Sequence, residues 1–76
     1  MNAKTKKQLT KIAAQIQDLM EQIEVFKDEE QEVYDNRSES WQESERGEEM
    51  YERIDKIEEA ISSLQDAIDN INEVTE

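Results

Sequence analysis

The stretch MYERIDKIEEAISSLQDAIDNI, residues 50–71, decides the fold. Its large apolar residues are Met50, Ile54, Ile57, Ile61, Leu64, Ile68 and Ile71, separated alternately by four and three positions. That alternation keeps one stripe of an α-helix apolar, whereas a strand needs a period of two. Upstream, Leu9, Ile12, Ile16, Leu19, Ile23 and Phe26 repeat the pattern with spacings of three and four. The chain has no Pro and a single Gly, which suits long helices. The expected fold is all-α: an antiparallel two-helix coiled-coil hairpin. Its first helix covers about residues 4–34, its turn about 35–39 and its second helix about 40–74.

Local chemistry supports this division. Asp35 and Asn36 are turn formers, because both side chains bond their own backbone. Ser40-Trp41-Gln42-Glu43 fits a capping box, so the second helix is expected to start at Ser38 to Ser40. Thr5-Lys6-Lys7-Gln8 fits one for the first helix, although its lysines oppose the helix dipole. With a turn at Asn36 and Arg37, facing residues have numbers that sum to 73. Ile23 then faces Met50, Leu19 faces Ile54, and Phe26 faces Gly47, a steric reason for a glycine within a helix. Ile68 and Ile71 are left facing Thr5 and Asn2. Ala13, Met20, Ala60, Ala67 and Val74 flank the seams. A two-helix contact half-covers such faces, so self-association into a four-helix bundle is expected. The oligomer interface is assigned to Ala13, Met20, Ala60, Ala67, Ile68 and Ile71, with a homodimer as the expected state.

Composition excludes several classes of chemistry. Of 76 residues, 21 are acidic and nine basic, a formal charge of −12, and neither Cys nor His occurs. Most catalytic triads, zinc sites and disulfide frameworks are thereby ruled out. Residues 35–46 match an EF-hand loop only in length, since Ser40 and Arg46 replace its required Gly and Glu. No enzymatic activity, cofactor or metal site is expected. No run of about 18 apolar residues occurs, so no membrane association is expected. No apolar segment follows the basic N-terminal residues, which argues against a secretory signal and for a cytoplasmic location.

The charge is uneven. Residues 1–17 hold four lysines and no acid, while residues 28–52 hold eleven acids against Arg37 and Arg46. Such a surface repels nucleic acid directly and favours a protein partner with a basic surface. The residues assigned to that partner are Asp28, Glu29, Glu32, Tyr34, Asp35, Glu39, Trp41, Glu43, Glu45, Glu48, Glu49 and Glu52. Helical carboxylates four residues apart lie about 6 Å apart along the axis, close to a phosphate spacing. Glu39, Glu43, Glu45, Glu48, Glu49 and Glu52 are therefore read either as one track mimicking DNA or as a solvated face. Trp41 is read either as a binding anchor or as a cap against Val33 and Tyr34.

The segment Asp28–Glu48, DEEQEVYDNRSESWQESERGE, resembles a group of small acidic helical-hairpin proteins of bacteriophages and related elements. They share a D-E-E-Q-E, Y-D-N, W-Q-E-S-E-x-G-E pattern between two heptad helices. The resemblance implies a phage accessory protein that inhibits or modulates a host nucleic-acid-binding or defence protein in the host cytoplasm. It transfers no individual site residue. The alternative is a self-associating structural or scaffolding module that binds another helical protein.

Overall fold

A computed structural model describes all residues from Met1 to Glu76. It is all-helical and elongated, 57 × 15 × 13 Å. Three helices follow in order: α1 (Ala3–Asp35), α2 (Glu39–Gln42) and α3 (Glu45–Thr75). The long helices α1 and α3 pack against one another along the rod, and α2 packs on the start of α3.

Three serine and asparagine caps define where helices begin. Asn2, not Thr5, caps α1 by accepting the Thr5 N–H at 2.8 Å. Ser38 caps α2 by accepting the Trp41 N–H, and Ser44 caps α3 by accepting the Gly47 N–H. The expected continuous second helix is thus interrupted at Glu43 and Ser44. Ser44 has extended backbone and its hydroxyl also donates to the Trp41 carbonyl, so one side chain ends α2 and starts α3. Each cap satisfies a donor that the first turn would otherwise leave unpaired.

This interruption moves the register. The cross-helix pairs are Lys27 with Glu58, Glu30 with Arg53 and Tyr34 with Tyr51. Their numbers sum to 85, 83 and 85, where a turn at Asn36 and Arg37 required 73. The connection spans residues 36–44 and contains a helical turn, so its centre lies several residues later.

The packed face of α1 also differs from the expectation. Leu9, Ile16 and Ile23 are half-buried as expected. Between them, however, the positions turned inward are Ala13, Met20 and Lys27, in place of Ile12, Leu19 and Phe26. Met20 is 4% exposed, whereas Leu19 is 55% and Phe26 63% exposed. The α3 stripe is as expected: Met50, Ile54 and Ile68 are buried, and Ile57, Ile61, Leu64 and Ile71 are half-buried. Ile68 and Ile71, expected to want a partner, are covered within the chain. The pairing of Phe26 with Gly47 is overturned. Gly47 is buried against α2, where a Cβ would collide with the Trp41 and Gln42 carbonyl oxygens.

Candidate functional site

The α2 end of the rod is held by specific contacts. The Gln42 side-chain amide donates to the Tyr34 carbonyl at 2.8 Å and to the Arg37 carbonyl at 3.3 Å. The Tyr34 carbonyl also accepts from the Arg37 N–H, so Gln42 adds a second donor there and ties α2 to the end of α1. The Arg37 guanidinium lies over the Trp41 ring, 4.5 Å from its centroid, a cation–π contact. Tyr34 and Tyr51 meet on another side of this end, with centroids 6.0 Å apart and rings tilted by 53°. Half-buried Trp41 therefore stacks on Arg37, while Tyr34 packs on Tyr51.

The acids of residues 28–52 surround this end. Asp28, Glu29, Glu32 and Asp35 are exposed on α1, and Glu45, Glu48, Glu49 and Glu52 on α3. Glu39 and Glu43 belong to α2 and its C-cap. The single track expected from Glu39 to Glu52 is therefore split, because the chain changes direction at Ser44. Glu45, Glu48, Glu49 and Glu52 still share the outer side of one helix. Glu39, Glu45 and Glu48 also occupy first helical turns, where the dipole favours negative charge. Of the eleven acids, only Asp28 and Glu30 pair with a base.

Residues 22–62, the half of the chain nearer α2, hold fifteen acids and five bases. The remaining residues hold six acids and four lysines. Thus −10 of the −12 charges lie toward one end of the rod. Lys4, Lys6, Lys7 and Lys11, at the other end of the rod, form no ion pair.

Lys27 occupies a packed position of α1, and its amino group meets Asp28 at 3.3 Å and Glu58 at 3.5 Å. The hydrogen bond to Asp28 is the main reason its pKa is raised, with Glu58 adding to it and partial desolvation opposing it. A raised folded-state pKa favours folding most fully while the unfolded-state lysine is also charged. The stability difference between the wild type and Lys27→Met should therefore be flat through neutral pH. It should narrow only as pH climbs above 10.5, as thermal midpoints across that range would show. A lone lysine in an apolar seam also penalises slipped alignments that would separate it from its acids.

The structure separates the residues assigned to the oligomer interface. Ala13, Met20 and Ile68 are buried within the chain and Ile71 is half-buried, while Ala60 is exposed and Ala67 half-buried. What lies open instead is a stripe on α1: Ile12, Leu19, Phe26 and Val33, spaced seven residues apart. Sequence reasoning treated the first three of these as core. Gln17 and Glu24 are half-buried beside Ala13, Met20 and Lys27, so polar residues share the packed side of α1 while the larger apolar ones lie open.

One open groove at the α2 end gathers Arg37, Arg46 and Arg53, all the arginines of the chain, with Glu30 and Glu49 around Val33, Trp41 and Met50. No three acidic side chains converge as a metal-binding group, and no helix is long and apolar enough to cross a membrane. No protein family, curated protein or solved structure matches this chain.

Proposed function

We propose that the protein is a non-enzymatic binding protein whose acidic end engages a basic surface on another protein. The observation that carries this reading is the group of nine acids between Glu29 and Glu52 that lack a basic partner, gathered around one ordered end. Free carboxylates of one sign raise the association rate of an oppositely charged partner and lower that of nucleic acid. The resemblance of residues 28–48 to phage proteins makes a host nucleic-acid-binding or defence protein the proposed target, with mimicry of phosphate as the mode. Glu45, Glu48 and Glu52 form its most regular set, being on one side of α3. Pull-down from bacterial lysate at low and high salt tests this. The expected result is retention of nucleic-acid enzymes, lost on adding salt or competing DNA. Reversing Glu45, Glu48 and Glu52 to Lys should reduce that retention at least tenfold. Undiminished retention by the reversed variant would refute phosphate mimicry.

A second reading is supported by the open α1 stripe. We propose that α1 and α3 form an antiparallel coiled-coil hairpin that self-associates into a four-helix homodimer. Phe26 and Leu19 are the kind of side chains that such a contact removes from water. The two readings are compatible, since the free acids and the apolar stripe are different residues.

A further inference from the structure

The open stripe is one edge of a larger band whose middle is uncharged. On α1, Gln8, Gln15 and Gln22 run beside Ile12, Leu19 and Phe26. Arg46 and Arg53 line the groove with Val33, which fixes the side of α3 that adjoins the stripe. Continuing by sevens from Arg53 along that side gives Ala60, Ala67 and Val74, again without charge. The middle of this band, Ile12, Leu19 and Phe26 with Ala60 and Ala67, carries no charge in a chain in which 39% of residues are charged, while Glu30, Glu49, Arg46 and Arg53 border it at the α2 end. A basic partner finds nothing to pair with along that middle.

We infer that this band is covered by a second copy of the chain, docked antiparallel through α1. The inference rests on the self-association reading and specifies its surface and direction. Three observations select this occupant. First, an antiparallel two-fold crossing α1 between Leu19 and Phe26 sets Leu19 toward Phe26 of the second copy, and Ile12 toward its Val33. Every apolar residue of the stripe then meets another, and Ala60 and Ala67 are small enough for close helix approach.

Second, the overall charge distribution favours this direction. At the α2 end the three arginines on this side are accompanied by Glu30, which pairs with Arg53, and by Glu49, among the fifteen acids of that half. The opposite end carries the C-terminus of α3, with Glu73 and Glu76, and the start of α1, with Lys4, Lys6, Lys7 and Lys11. Antiparallel docking brings the unpaired lysines of each copy beside the acidic α2 end of the other. It also keeps the two strongly acidic ends apart, whereas parallel docking would stack them.

Third, the area suffices. The band is about 38 Å long by helix rise and spans the 15 Å width of the rod. Its projected area is on the order of 600 Å², close to the roughly 800 Å² per partner of a standard stable interface.

The test combines light scattering with a distance measurement. The wild type should be a dimer whose mass falls to that of a monomer on dilution. Leu19→Glu and Phe26→Glu should be monomeric at all concentrations. The chain has no native cysteine, so Gln8→Cys carries a single spin label. In the antiparallel dimer the two labels should lie about 40 Å apart along the axis. A monomeric wild type would defeat the self-association reading itself. A dimer that survives Leu19→Glu and Phe26→Glu would defeat the assigned surface alone. Labels closer than about 20 Å would defeat the direction, since parallel copies bring equivalent positions together. The label experiment keeps the direction testable even if the glutamate variants fail to fold.

Discussion

Ile54→Ala should destabilise the chain by about 2–5 kcal/mol, a range set by the lost transfer energy and the cavity left behind. Ile54 is 4% exposed, among the most covered side chains in the molecule. No side chain is fully sealed from water, so the core is thin and each buried residue carries a large share of it. A domain of 76 residues holds about 4–11 kcal/mol of total stability, so this substitution can consume half or more of it. Phe26→Ala, measured in dilute monomer, provides the contrast. A core phenylalanine would lose about 3–5 kcal/mol on truncation, whereas Phe26, 63% exposed, should lose under about 1 kcal/mol. Urea unfolding of both variants followed by circular dichroism separates the two cases. Equal large losses would mean that the Ile12, Leu19 and Phe26 positions form the core after all.

Gly47→Ala is the second large effect, and its sign is diagnostic. In an exposed helix interior the change from Gly to Ala stabilises by roughly 0.5–1 kcal/mol. At Gly47 the new methyl group would meet two backbone carbonyls of α2, and backbone cannot rotate aside as a side chain can. The expected result is a loss of about 1–3 kcal/mol, as for other overpacked sites. The thermal midpoint should fall by about 4–8 °C for each kcal/mol. Because α2 must move, Trp41 should also lose its stacking on Arg37, visible as a change in tryptophan fluorescence. A stabilised variant with unchanged fluorescence would show that α2 does not pack where the structure has it.

The all-helical character was legible in the spacing of apolar residues, and so was the packed stripe of α3. The packed stripe of α1 was legible at every second position only. Leu9, Ile16 and Ile23 belong to two interleaved patterns, one through Ile12, Leu19 and Phe26 and one through Ala13, Met20 and Lys27. Hydropathy favours the first pattern. The structure adopts the second, in which the Lys27 amino group reaches Asp28 and Glu58 while its stem lies in the seam. Period alone cannot separate two patterns that share half their members.

The break at Ser44 was also missed, and with it the register and the splitting of the acidic track. Ser40-Trp41-Gln42-Glu43 has no strong helix breaker, so it reads as an ordinary helix start. The usable signal was the repeated pair Ser38-Glu39 and Ser44-Glu45, two cap-and-acid starts six residues apart, with Gly47 at the position that donates to the second cap. The acids themselves were readable as a cluster. Their division among three helices was not, because it depends on that one turn of helix.

The uneven charge along the rod has a mechanical consequence. With −10 of the −12 charges toward one end, the centre of charge lies well away from the centre of mass. The field of a cationic body therefore exerts a torque on the molecule as well as a pull. A single free chain approaching such a body turns its α2 end forward before contact, so encounters arrive already oriented. The orienting field weakens beyond about 8–10 Å at physiological ionic strength, so the alignment happens within the last few water layers of approach.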